Sequence, residues 1–189
     1  MTTRSSSTRA LILSRAAFVF YEHGFHATGV ERVARAAGVT KATLYHHFQN
    51  KDELMAESLR FLSKEFKARC FACWQSADLS PREKLVSLFD TFAHFFEDEA
   101  CFGCPFINAA AEFSEHTHPI RKICADHFHF VREHLEGFAR EAALRSPEQV
   151  AHRILTIIMG TFCSWQSAQL PAAAQEGKEL AQLVLAHAA

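Results

Sequence analysis

TGVERVARAAGVTKATLYHHFQNK, residues 28–51, is the stretch whose reading decides the fold. Val30, Val33, Ala34 and Ala37 recur at helical spacing and make one apolar face. Gly38-Val39-Thr40 breaks that pattern, and Lys41 to Phe48 starts a second short one. Two short helices around a three-residue turn that begins with Gly make a helix-turn-helix. Small Ala34 and Ala37 let the two helices cross closely, while Leu44 and Phe48, four residues apart, pin the second helix inward. Lys41, Ala42, Thr43, Tyr45 and His46 are left on the outer side, the side that such a motif presents to the major groove of double-stranded DNA.

Start and stop signals extend the helical pattern in both directions. Thr28-Gly-Val-Glu31, Ser80-Pro-Arg-Glu83 and Ser146-Pro-Glu-Gln149 have the spacing of capping boxes, and Asn50-Lys-Asp-Glu53 is a variant with Asn as the cap. Gly24 and Gly38 stand where helix ends need a left-handed residue. These marks predict helices over about 7–23, 29–36, 40–47, 51–74, 81–97, 105–114, 118–143, 147–168 and 173–187. The fold class is therefore all-α, with about nine helices. A three-helix domain over 1–50 precedes a larger helical domain over 51–189.

The 189 residues are enough to bury a substantial core, and the apolar share of 49% against 22% charged is that of a globular chain. No apolar run approaches the 18 or so residues of a membrane span, and no signal-peptide core follows the N-terminus, so a cytoplasmic protein with no membrane partner is expected. Collagen, disordered and disulfide-scaffold classes are excluded on the same composition. The six Cys are expected as thiols. A formal net charge of −1 hides an asymmetry: residues 1–52 carry seven basic and three acidic groups, and the remainder thirteen basic and eighteen acidic. A basic segment on an acidic body fits a polyanionic partner for the first part alone.

From Arg9 to Leu54 the chain resembles the N-terminal domain of TetR-family transcriptional repressors. The resemblance rests on Ile12-Leu13, Ala16-Ala17, Phe20, Gly24-Phe25, Thr28, Val33-Ala34, Ala37-Gly-Val-Thr-Lys41, Thr43-Leu-Tyr45, His47-Phe48, Lys51 and Leu54. It implies that Thr40 caps the recognition helix and meets a phosphate. Lys41 would reach a phosphate or base edge, Thr43 a base edge or thymine methyl, and Tyr45 a phosphate through its hydroxyl. His46 is a further contact, and Thr28 and Lys51 meet the backbone. Ala42 stands where many relatives carry Gly or another small residue, which leaves base preference open. His47 is expected to pack under the turn.

The same resemblance implies that the larger domain binds a small-molecule effector and forms a homodimer through residues about 147–187, whose Ile154, Leu155, Ile157, Ile158, Phe162, Leu180, Leu183 and Val184 supply apolar faces. The effector would alter a pendulum motion of the helix 51–74 and so the separation of two recognition helices. On a palindromic operator these must span half-sites about 34–36 Å apart. Gly103-Cys-Pro-Phe-Ile-Asn-Ala-Ala-Ala-Glu112 resembles a motif of a subset of TetR-type ligand domains.

Of the 18 Phe, 14 lie beyond residue 52. Phe89, Phe92 and Phe96 fall on one helix face, a stripe that reads as core. Together with Phe66, Phe106, Phe113, Phe130, Phe162 and Trp165 they could also line a cavity for a hydrophobic or aromatic effector. Cys104 precedes Pro105 at an expected helix start, where a thiolate is stabilised. That makes a thiol sensor, with Cys101 as resolving partner, an alternative to a buried packing thiol. Cys70-x-x-Cys73 and Cys101-x-x-Cys104 suggest zinc, but 27 residues separate them and the first pair sits within a helix, so a metal-responsive regulator is the weaker variant and no metal or cofactor is expected. No nucleophile elbow, phosphate-cradling Gly loop or HExxH is present, which argues against an enzyme.

Overall fold

A computed structural model of the chain describes residues 2–75 and 78–188. Among the described residues there are nine α-helices and no strand: α1 (Thr2–His23), α2 (Val30–Ala36), α3 (Lys41–His47), α4 (Lys51–Trp74), α5 (Pro81–Phe96), α6 (Pro105–Glu112), α7 (Pro119–Glu141), α8 (Pro147–Ala168) and α9 (Ala173–His187). The boundaries fall within one or two residues of the predicted ones except at the start of α1, which begins at Thr2 instead of about residue 7. The Ser/Thr run there holds no Gly or Pro, and weak helix formers cost only a few tenths of a kcal/mol each, so the helix runs through it.

The capping signals divide into kept and overturned. Ser80 sits in the extended region and forms a full box with Glu83, whose carboxyl is held below its ordinary range by the Ser80 side-chain and backbone bonds. Asn50 Oδ1 accepts from the Glu53 N–H at 2.8 Å, while the Glu53 carboxylate takes the Gln49 N–H at 2.6 Å. Ser146 is no cap: its φ of 52° and ψ of 60° are left-handed, and its side chain makes no cap bond. Thr28 is no cap either. Gly29 occupies the N-cap of α2, with no side-chain bond, and Thr28 is fully buried one residue earlier.

The chain forms two compact units that do not follow its order. The first comprises Met1–Phe66 and Pro105–Ala125, and so takes α6 in with the first three helices. Here α2 packs on α1 and α3 around fully buried Ile12, Phe20, Phe25, Val33, Leu44 and Phe48, with Phe20 and Phe25 stacked at 5.3 Å. Enclosing each such side chain stabilises by about 1.5–3 kcal/mol.

The second unit comprises Lys67–Cys104 and Asp126–Ala189, with α5, α8 and α9 packed on one another. Gly177 permits the close seat of α9: a Cβ there would lie 2.2 Å from Thr161 Oγ1 on α8 and 2.9 Å from Phe89 Cε1 on α5. Lys178 and Asp90 pair across α9 and α5 at 2.6 Å, and the Arg145 N–H donates to the Ala188 carbonyl at 2.8 Å, tying the turn before α8 to the end of α9.

Candidate nucleic-acid interface

The turn before α3 closes as a Schellman motif, with the Val39 N–H donating to the Ala34 carbonyl at 3.0 Å and Gly38 at φ +65°. Thr40 then caps α3, its Oγ1 accepting from the Thr43 N–H at 3.0 Å and lying 2.8 Å from the Thr43 hydroxyl. Leu44 and Phe48 are buried beneath, and the Arg9 guanidinium covers the Phe48 ring at 4.7 Å. The anchoring fixes which way the helix faces. Lys41, Ala42, Tyr45 and His46 are exposed and Thr43 is half-exposed, so the expected outer face exists as one surface.

Two expected contacts sit differently. Thr28 is 0% exposed and its hydroxyl has no hydrogen-bond partner among the described residues, so its side chain does not reach the surface that α3 presents. Lys51 is half-buried, and its ammonium donates to the His26 carbonyl at 3.1 Å, which ties the start of α4 to the loop before α2.

Lys41 is also partnered: its Nζ lies 2.5 Å from Glu31 Oε1 on α2 and 5.9 Å from the Tyr45 ring centroid. That hydrogen bond holds the Glu31 carboxyl below, and the Lys41 ammonium above, their ordinary ranges. The spacing gives Glu31 a capping place beside Thr28 and no link to Lys41, since ten residues of separation across a turn carry no periodic signal. Nor does it link Glu112, the last residue of the Gly103–Glu112 stretch, to the loop whose Phe25 and His26 N–H groups its carboxylate accepts at 2.9 and 2.7 Å.

The effector candidates fall into separate places. Phe89, Phe92, Phe96, Phe162 and Trp165 form one aromatic ladder between α5 and α8, with Phe92 and Phe162 at 4.8 Å and Phe96 stacked on Trp165 at 4.6 Å. Phe96, Trp165, Glu97, Gln166 and Gln169 line a groove of about 740 Å³ at its end. Phe130 belongs to another cluster in this unit, 5.6 Å from Phe71 and 4.2 Å from His134, with the Lys67 ammonium 4.2 Å over its ring. Phe106 and Phe113 are buried in the first unit, where Phe113 packs on Phe25, His26 and His118, and Phe66 is half-buried at that unit's edge.

Cys104 directly precedes α6 as expected, but both it and Cys101 are buried, at 6% and 7% exposure. No disulfide links any of the six Cys. Burial pushes Cys70 up to about 12, with Cys73 adding to it, and Cys124 up to about 11. Among the described residues no three His, Cys, Asp or Glu side chains gather as a metal site needs, and no helix is long and apolar enough to cross a membrane.

Comparison with known proteins places this geometry. A family model described as bacterial regulatory proteins of the tetR family matches residues 12–57, and a tetracyclin repressor-like C-terminal domain matches residues 81–181. The chain is 33% identical over 153 residues to the uncharacterized HTH-type transcriptional regulator YxaF of Bacillus subtilis, covering 76% of this chain and 78% of that one. It is 36% identical over 90 residues to the HTH-type transcriptional repressor KstR2 of Mycolicibacterium smegmatis, covering 46% and 42%. A crystallised TetR-family transcriptional regulator from Streptomyces coelicolor shares the fold at a TM-score of 0.88 over 97% of this chain and 96% of that one, at 22% identity.

Proposed function

The chain belongs to the TetR family of bacterial regulatory proteins, DNA-binding regulators of transcription, and from that premise we propose a homodimeric, effector-controlled repressor of a palindromic operator. The observation that carries this reading is the outer face of α3, which presents Lys41, Ala42, Tyr45 and His46 on a helix pinned by fully buried Leu44 and Phe48. Residues 1–50 do the reading: Thr40, Lys41 and Tyr45 meet phosphates, Thr43 and His46 meet base edges, and Ala42 admits close approach of the groove. Lys51 supports the loop before α2. Residues 51–189 take the effector and join the copies, the latter through α8 and α9.

For the effector we assign the groove ending the aromatic ladder. Its stacked Phe96 and Trp165 offer flat apolar walls, and Glu97, Gln166 and Gln169 offer polar atoms to orient a small aromatic compound. Phe106, Phe113 and Phe130 act as packing residues in this reading. A thiol-sensor mechanism draws no support from the burial of Cys101 and Cys104, since a reactive thiolate needs access.

The test is binding to the palindromic DNA upstream of the protein's own gene, against a scrambled duplex, at two salt concentrations. Selective binding that weakens with salt is expected, since neutralised phosphates release counterions. Equal affinity for both duplexes at moderate salt would overturn the reading. An aromatic compound that releases the operator should lose its effect on Trp165→Ala while that variant still binds DNA.

A further inference from the structure

The loop between α1 and α2 is held from outside the helix-turn-helix by a carboxylate at the end of α6 and an ammonium at the start of α4. Glu112, the last residue of α6, accepts from two successive backbone donors, the Phe25 N–H at 2.9 Å and the His26 N–H at 2.7 Å. The His26 ring N–H returns to the Glu112 carbonyl at 3.1 Å, and that ring packs on Phe113 at 4.4 Å. The His26 carbonyl in turn accepts from Lys51 at 3.1 Å. His26 is thus gripped at its N–H, ring and carbonyl by residues of α4 and of the α6 terminus. Gly24, at φ +84°, lets the loop come this close, since a Cβ there would lie 3.2 Å from Glu112 Oε1.

A carboxylate at a helix C-terminus stands against the helix dipole, so its place at the end of α6 is unfavourable locally. Two charge-assisted bonds from the loop offset that cost. The loop leads through Thr28 into α2, and α2 packs on α3. A reading helix has to be held to within about 0.5 Å by its supporting shell, and the loop is where such support enters.

We infer that Glu112 is a positioning residue for DNA reading: it sets the α1–α2 loop, and through it the seat of α2 and α3, from a helix 87 residues away in sequence. This inference rests on the DNA-binding reading above. It also gives the Gly103–Glu112 stretch a role at its final residue.

The test compares Glu112→Gln with the full-length wild type. Gln keeps the size but removes the charge and one acceptor oxygen. Three readouts are taken: thermal unfolding, amide exchange at Phe25 and His26, and affinity for the upstream palindrome and for scrambled DNA. The expected result is an unfolding midpoint close to wild type, loss of protection at one or both of those amides, and a tenfold or greater loss of operator affinity. Affinity for scrambled DNA should stay within about threefold, because net charge governs it. A purely stabilising side chain would instead lower both affinities together. Unchanged operator affinity with both amides still protected would overturn the inference. Where wild type itself shows no operator preference, the DNA reading fails, and protection at Phe25 and His26 in the variant still decides whether Glu112 sets the loop. If Glu112→Gln does not fold, Glu112→Asp keeps the charge but is one methylene too short for both donors. It should lose operator affinity in the same direction, and wild-type behaviour would overturn the inference.

Discussion

Lys41 and Glu31 show how one pair can work against the face it belongs to. The ammonium that would meet a phosphate is already bonded to a carboxylate at 2.5 Å, with both side chains more than half exposed. Exposed pairs of this kind add little stability, so the exchange of Glu31 for a phosphate is cheap but not free. Glu31→Gln should tighten binding to operator and scrambled DNA alike by several-fold and steepen the salt dependence by up to about one ion. Anisotropy titrations over a salt series would measure this, and weaker binding would mean that Glu31 positions Lys41 instead of opposing it. His127 supplies the pH-sensitive residue. It is 3% exposed on α7, and burial, aided by the Lys67 charge on α4, lowers it to about 3. The unfolded chain gains this proton below its ordinary value near 6.5, and the folded one does not until about 3. Its contribution is therefore intact above pH 6.5 and is lost on acidification towards 3, by about 1.4 kcal/mol per pH unit. Urea melts of His127→Leu at pH 7 and 4.5 should show a smaller acid loss than wild type, and an equal loss would clear His127 of the role.

At the scale of elements, two near-identical signals part company. Ser80-Pro-Arg-Glu83 and Ser146-Pro-Glu-Gln149 both read as capping boxes, yet only the first closes. The turn after α7 is drawn in by the Arg145–Ala188 backbone bond and carries left-handed backbone at Ala143 and Ser146, so Ser146 cannot reach the extended geometry of a cap. Ser80→Ala should cost about 1 kcal/mol and Ser146→Ala under about 0.5 in thermal or urea unfolding. Equal losses would mean that Ser146 caps in solution. Helix α6 makes the converse point. Its eight residues are too few to hold a helix alone, and its place depends on Phe106, Ala109 and the Glu112 grip.

At the scale of the molecule, α9 leaves Leu180 and Leu183 at 52% and 57% exposure, and Leu170 lies exposed just before it at 49%. Exposed large apolar side chains on α9 support the dimer proposed above through α8 and α9. Leu183→Glu should shift the protein from dimer to monomer in sedimentation. It should also cost tenfold or more in operator affinity, because one copy then binds each half-site alone. An unchanged sedimentation coefficient would place the dimer surface elsewhere.

Local signals settled a great deal by themselves. Hydrophobic period, Gly at Gly24 and Gly38, and Pro at the starts of α5 and α8 depend only on neighbours along the chain, so nine helices, the helix-turn-helix and the outer face of α3 were legible in sequence. Tertiary structure decided whatever depends on partners remote in sequence. It buried Thr28, turned Ser146 away from its cap, and split nine effector candidates between one ladder and several separate packing sites. It also bound Lys41 to Glu31 and brought Glu112 to the loop at Phe25 and His26. The reason is geometric. Periodicity records which face of a helix is apolar, but not which other face it meets, and a carboxylate 87 residues away leaves no trace in the spacing of the residues it holds.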